Sequence, residues 1–135
     1  MSLHELEYGS ALSLDFKKLH SVALCGELVP VIVQHADTGA VLILAYTNIH
    51  AFAESQRQKI AIFWSTSRNE LWIKGATSGD YLDLVDIRVN CEQNALLYHV
   101  RPRTGGVCHT KDSQGNAHES CFYRRLTAGD ALERV

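Results

Sequence analysis

Apolar residues recur along this chain with two periods, and the switches between them mark its elements. Leu12, Phe16 and Leu19 recur at helical spacing and predict a short helix near Ser13–His20. Leu28–His35 and Ala40–Tyr46 are apolar, β-branched runs around Asp37-Thr38-Gly39, a hairpin signal with glycine where positive φ is useful. Asn48 is placed to cap a helix over Ile49–Gln58, with Ile49, Phe52 and Ala53 on one face. Ile60–Ser65 and Leu71–Lys74 read as strands around Arg68-Asn69. Tyr81–Val89 is a strand with a fault of phase. Leu82 and Leu84 share one face, then Val85, Ile87 and Val89 alternate in the other register, so an extra residue near Leu84-Val85 predicts a β-bulge. Ala95–Arg101 is another strand, and Ser120–Arg124 reads as the last. Strands outnumber helices, which gives a mainly β or α+β compact single domain.

Composition narrows what such a domain can do. At 135 residues the chain has room for one proper core. Its formal net charge of −2 offers no bulk attraction to nucleic acid or an acidic membrane, so any anion site must be local. The apolar stretches are far too short to span a bilayer. Met1-Ser2-Leu3-His4-Glu5 lacks the basic and apolar blocks of a signal peptide, which places the protein in the cytoplasm. Thiols stay reduced there, so cysteines are read as metal ligands or catalytic groups before disulfides.

Three cysteines stand in polar, motif-like contexts: Asn90-Cys91-Glu92-Gln93-Asn94, Gly105-Gly106-Val107-Cys108-His109-Thr110 and Glu119-Ser120-Cys121-Phe122-Tyr123-Arg124. Three thiols with a histidine beside one of them suit a catalytic zinc better than a structural one, because a structural zinc takes four protein ligands while a catalytic zinc keeps one position open. The rival reading for each is a small core thiol. Cys25 matches no motif and reads as a structural thiol.

Phe63-Trp64-Ser65-Thr66-Ser67-Arg68, Leu71-Trp72-Ile73-Lys74-Gly75-Ala76-Thr77-Ser78-Gly79, Cys108-His109-Thr110 and Ser120-Cys121-Phe122-Tyr123-Arg124 together resemble the phosphoribosyl-AMP cyclohydrolase family of histidine biosynthesis, from about Leu28 to Arg125. Leu44-Ala45-Tyr46-Thr47-Asn48 and Ala95-Leu96-Leu97 fit the same family. The resemblance divides the chain into an N-terminal helical segment (1–27), a cyclohydrolase-like domain (28–125) and a C-terminal tail (126–135). It implies a hydrolase that opens the adenine ring of N1-(5-phosphoribosyl)-AMP between N1 and C6. It also implies an intertwined homodimer with a shared active site, zinc on Cys91, Cys108 and Cys121, and magnesium on an acidic segment. By the same resemblance Cys91 comes from one subunit, Cys108 and Cys121 from the other.

The residue types suit that chemistry. Zinc lowers the pKa of bound water to about 7, and a histidine of ordinary pKa about 6.5 can move protons near neutrality, which makes His109 the candidate general acid/base. Trp64 and Trp72 are either core aromatics or lining for the substrate. Ser65, Ser67, Arg68, Lys74, Thr77 and Ser78 are the candidates to hold a substrate carrying two phosphates. The basic residues among them, with Arg101, Arg103, Arg124 and Arg125, otherwise read as a solvated face.

Two departures from the family pattern stand out. The family's acidic segment reads Asp-Cys-Asp-x-Asp, whereas Asn90, Glu92 and Asn94 retain a single carboxylate, which weakens or removes the magnesium site. Between Cys108 and Cys121 the chain inserts a polar, glycine-containing loop near Lys111–His118, which puts His118 within reach of the metal region. The alternatives are a divergent paralogue hydrolysing a related cyclic amidine and a non-catalytic zinc-binding dimer. A base deaminase is disfavoured, since the His-x-Glu and Pro-Cys-x-x-Cys signature is missing.

Overall fold

A computed structural model describes residues 1–135. Its elements run α1 (Leu3–Tyr8), α2 (Lys18–Leu24), β1 (Val29–His35), β2 (Val41–Thr47), α3 (Ile49–Gln58), β3 (Ile62–Ser65), β4 (Glu70–Ile73), β5 (Leu82–Val89), β6 (Leu96–Pro102), β7 (Arg124–Leu126) and β8 (Leu132–Arg134). The α+β reading holds. A mixed sheet in the order β2-β1-β6-β5 forms the frame, antiparallel except for the parallel β1–β6 pair. The hairpins β3–β4 and β7–β8 complete it. No helix is long and apolar enough to cross a membrane.

Period-two alternation decides which face of the sheet is buried. Val31 and Val33 of β1, Tyr98 and Val100 of β6, and Leu82 of β5 point into one core with Leu42, Phe63, Ala61 and Val107. Each such side chain contributes roughly 1.5–3 kcal/mol on burial. The other face keeps Leu44, Ile32 and Leu97 in one row across β2, β1 and β6. Leu44 and Ile32 are exposed there and Leu97 is half-buried.

The β1–β2 hairpin and the β3–β4 pair form where the sequence placed them, with Gly39 at φ 78° and Asn69 at φ 53° in their turns. The phase fault in β5 is a register shift between Leu84 and Asp86, which leaves Val85 as the extra residue. Asn48 caps α3 by accepting from the Ala51 N–H at 2.9 Å.

Three local expectations are corrected. The helix expected near Ser13–His20 forms instead over Lys18–Leu24 (α2), and α1 precedes it. The Asp15 carboxylate accepts from the Lys17 N–H at 3.0 Å, and this turn holds residues 15–17 out of the helix. Phe16 and Leu19 are consequently exposed. Of the face expected on α3, Phe52 packs against the core but Ala53 and Ile49 are exposed, and the buried residues are Ala51 and Ser55. Ser55 docks the helix by donating to the Ile62 carbonyl (2.8 Å) and accepting from the Ile62 N–H (2.9 Å). Finally, Ser120–Arg124 is not a strand. Ser120 Oγ donates to the Val41 carbonyl and the Cys121 N–H to the Leu42 carbonyl, both 2.7 Å, so the segment is pinned to β2 without forming a ladder. Strand geometry begins at Arg124. The β7–β8 hairpin is tied to the N-terminal segment, with the Leu132 N–H donating to the Ser10 carbonyl at 2.7 Å and the Leu12 N–H to the Asp130 carbonyl at 3.2 Å.

Candidate active site

Cys108 and Cys121, distant along the chain, are brought together by two loop segments. The loop of residues 111–118 folds back so that the His118 carbonyl accepts from the N–H groups of Val107 and Cys108, both at 3.0 Å. This fixes the backbone that carries Cys108, which is buried. Cys121 is fixed by its bond to β2. The neighbouring Cys121 thiol, more than any other group, pushes Cys108 down to about 5, with further help from Thr110 and against the opposing effect of burial. Cys121 is correspondingly pushed up, above all by Cys108. The two thiols titrate as a pair, with the negative charge favoured on Cys108.

A chain of hydrogen bonds supports that thiolate. Thr110 Oγ1 donates to Cys108 Sγ at 3.0 Å and stands 2.9 Å from His118 Nδ1. Because Thr110 has one hydrogen to give, His118 donates to it. His118 is further fixed by stacking on Tyr123, with ring centroids 3.9 Å apart. The inserted loop thus brings His118 toward the thiols, but through Thr110 rather than directly.

Cys91 is elsewhere. It is exposed in the turn between β5 and β6. Cys121 lies against β2, at the opposite edge of the sheet. At ~4.8 Å per strand, the strands between put the two on the order of 15 Å apart. Within one chain no three His, Cys, Asp or Glu side chains converge closely enough to hold a metal ion. The donors that do meet are the sulfurs of Cys108 and Cys121, next to His109. That is a soft set, which fits zinc and not a hard cation.

The turn around Cys91 is built from amides. Asn90 Oδ1 accepts from the N–H groups of Asn94 and Ala95, both at 2.9 Å, and Asn90 Nδ2 donates to Asn94 Oδ1 at 2.6 Å. Asn94 Nδ2 reaches Glu92 at 3.4 Å. Asn90 Oδ1 is thus occupied within the turn and Glu92 is the single carboxylate, so the set is short of the anionic oxygens a hard dication favours.

The other candidates divide between a cavity and its surroundings. A cavity of about 200 Å³ is lined by Trp64, Ser65, Ser67 and Trp72, together with Leu44 and Tyr46 of β2. Trp64 Nε1 donates to Asn69 Oδ1 at 3.0 Å, which sets the indole. Along β2, Leu42 at the thiol pair and Leu44 at the cavity are roughly 7 Å apart, two residues of strand rise. Thr77 and Ser78 are exposed in the turn after β4, and Arg68 pairs with Glu70 at 3.1 Å. None of these three lines the cavity.

Lys74 corrects the solvated-face reading: it is 7% exposed, with Nζ donating to the Asp80 carbonyl at 3.1 Å. Burial lowers its pKa, while Asp80 and Cys108 oppose that, so its charge lies close enough to be felt by the thiolate. Gly75 permits the following turn. It takes φ 97°, and a side chain there would collide with the Tyr81 backbone. Arg101 and Arg103 pair with Asp37 and Asp83, and Arg125 with Glu133.

Two residues escaped the sequence reading. Lys18 of α2 lines the cavity and donates to Thr66 Oγ1 at 2.8 Å, the one cationic side chain on its wall. Glu7 of α1 pairs with His109 Nε2. No motif marks either, because both reach the site through tertiary packing from the first 18 residues.

Comparison with known proteins agrees with this picture. Residues 43–123 match the phosphoribosyl-AMP cyclohydrolase family model. A phosphoribosyl-AMP cyclohydrolase of Caulobacter vibrioides is 45% identical over 134 residues, covering 98% of this chain and 87% of the relative. One from Hyphomonas neptunium is 45% identical over 76% of this chain and 72% of its own length. One from Haloquadratum walsbyi is 44% identical over 80% and 76%. A match through the cavity strands and both thiol segments, with identity at this level over nearly the whole length, makes the chain a member of the phosphoribosyl-AMP cyclohydrolase family of hydrolases.

Proposed function

We propose that this protein is a zinc-dependent cyclohydrolase that opens the adenine ring of N1-(5-phosphoribosyl)-AMP between N1 and C6, in histidine biosynthesis and in the cytoplasm. The observation that carries the reading is the Cys108–Cys121 pair. Two thiols from separate loops meet beside His109 and next to the tryptophan-lined cavity. Zinc would be held by Cys108, Cys121 and Cys91 of the partner subunit, and when bound it supplies the Lewis acidity that makes water acidic near neutral pH.

The chain's own residues do the rest. Trp64 and Trp72, from opposite faces of the β3–β4 hairpin, give the cavity an aromatic wall against which the base rests, and Ser65, Ser67 and Lys18 offer donors to a phosphate. Lys74 keeps a positive charge behind Cys108, favouring its thiolate. His109 carries protons between water and the ring nitrogen released on opening.

The homodimer is part of the proposal. Cys91 stands far from its fellow ligands within one chain, and the row Leu44, Ile32 and Leu97 gives the outer face of the sheet an apolar surface of the kind a partner subunit covers. Magnesium has no part in it, since two amides bonded to each other and one carboxylate supply too little charge. The test is turnover of N1-(5-phosphoribosyl)-AMP by the purified protein, with zinc content measured in parallel. Ring opening that disappears on chelation and returns with zinc is expected. Stable, zinc-loaded protein with no turnover overturns the enzyme reading.

A further inference from the structure

We infer that Glu7 is a positioning residue for His109, delivered to the site by a helix that exists to present it; this rests on the proposed proton-transfer role of His109. Helix α1 buries no residue, so hydrophobic packing does not explain where it lies. It is held instead by hydrogen bonds, and these come from the site segments. Tyr123 Oη donates to the Glu7 carbonyl. Arg124 Nη1 donates to the carbonyls of Leu6 and Gly9, both at 3.0 Å. The Lys111 N–H donates to Tyr8 Oη at 2.9 Å, and His4 stacks on the Tyr8 ring at 4.9 Å.

The helix itself is well specified for its length. Ser2 and Glu5 form a reciprocal capping box, and Gly9 ends it where a side chain would run into the Glu5 carbonyl. Donors from the segments following Cys108 and Cys121 therefore converge on one turn of helix. The product of that convergence is the Glu7 carboxylate against His109 Nε2.

An exposed ion pair contributes little to stability, about 0–1 kcal/mol, so anchoring of this density is not explained by the pair's own energy. Orientation explains it. A carboxylate accepting from Nε2–H fixes which ring nitrogen carries the hydrogen and leaves Nδ1 as the lone-pair nitrogen. His109 otherwise stands largely free, with its side chain 76% exposed, so without Glu7 nothing in the chain sets its ring. Preorganising a proton carrier in this way lowers the barrier rather than tightening substrate binding.

The experiment combines kinetics, a mutant cycle and a spectroscopic readout on the zinc-loaded protein. Glu7→Gln is expected to lower kcat roughly 10- to 100-fold, the loss seen when the carboxylate orienting a metal-ligating histidine is removed. KM, zinc content and melting temperature are expected to stay unchanged. In a His109→Ala background Glu7→Gln is expected to add no further loss. Nitrogen-15 NMR of the histidine side chains is expected to show His109 as the Nε2–H tautomer in the native protein and as a tautomer mixture in Glu7→Gln. Unchanged kcat in Glu7→Gln beside a large loss in His109→Ala overturns the inference and leaves the function standing. An unchanged rate in His109→Ala removes the proton-transfer reading itself. Loss of zinc on Glu7→Gln recasts Glu7 as a ligand and overturns its positioning role.

Discussion

Thr110 donates its hydroxyl hydrogen to the sulfur of Cys108 at 3.0 Å, inside a buried loop. The same oxygen takes a hydrogen from His118. The bond favours the charged form of Cys108, because a hydrogen bond to an ionised acceptor is worth more than a neutral one. Thr110→Val keeps the shape and removes the donor. In zinc-stripped protein, Cys108 alkylation should follow a pH midpoint of about 5, and the valine variant should move that midpoint upward. The sign follows from the causes: neighbouring Cys121 and then Thr110 stabilise the charged form, so losing either favours the protonated thiol. An unmoved midpoint in Thr110→Val would show that this hydroxyl does not support the thiolate.

Ser55 supplies the stability prediction. Its hydroxyl satisfies both the N–H and the carbonyl of Ile62 in a fully buried setting. Ser55→Ala leaves two backbone groups without this partner and should cost about 1–3 kcal/mol, the penalty for unsatisfied buried polar groups. Chemical denaturation of the two proteins compares them directly. A change within error would mean that water or a shifted backbone replaces the serine.

The legible parts of this molecule were those encoded locally. Gly39 and Asn69 mark turns that need left-handed backbone, Asn48 caps its helix, and the β5 bulge shows as a slip in alternation between Leu84 and Val85. The sequence marked three thiol segments, and two of them, carrying Cys108 and Cys121, meet within the chain. What stayed hidden depends on tertiary choices. Helix α2 starts late because the Asp15 carboxylate bonds the Lys17 N–H, a competition that period counting does not register. Lys74 looks like any surface lysine until the turn at Gly75 buries it. Glu7 and Lys18 carry no sequence mark at all, since their roles arise only when the N-terminal segment folds over the site.

The proposed shared site makes a prediction that a single-chain site does not. Cys91→Ser and Cys108→Ser should each be inactive alone as homodimers. Unfolded together and refolded as a mixture, they should regain activity, because one of the two sites in each mixed dimer has all three native cysteines. Random pairing limits recovery to about a quarter of the native value. No recovery from a mixture shown to contain mixed dimers would place all three thiols in one subunit, contrary to the sheet positions of Cys91 and Cys121.

Lys18 gives a binding prediction. It is the cation on the wall of the cavity and already sits 2.8 Å from Thr66 Oγ1. If it meets a substrate phosphate, Lys18→Met should raise KM about tenfold while changing kcat little, since it removes a charge contact made equally in ground and transition states. The measured KM should also become less sensitive to salt, because a screened attraction has been deleted. A variant that lowers kcat at constant KM would place Lys18 in the chemistry instead.

The last prediction is that magnesium is dispensable, and the turn around Cys91 is the reason. A hydrated dication gives up water only to anionic or unoccupied oxygens. Asn90 Oδ1 accepts two backbone N–H groups, Asn94 Oδ1 accepts from Asn90, and Glu92 is the lone carboxylate, already approached by Asn94. Binding magnesium there would mean breaking the contacts that shape the turn for too little charge in return. Enzyme stripped with EDTA and restored with zinc alone should therefore turn over at full rate, with no saturable response to added magnesium. The converse variant sharpens the test. In Asn90→Asp/Asn94→Asp the turn keeps its acceptor for the Asn94 and Ala95 N–H groups but gains two charges, so calorimetry should detect magnesium binding absent from the native protein. A saturable magnesium requirement of the native enzyme at sub-millimolar concentration would show that the amides ligate the cation despite their internal bonds.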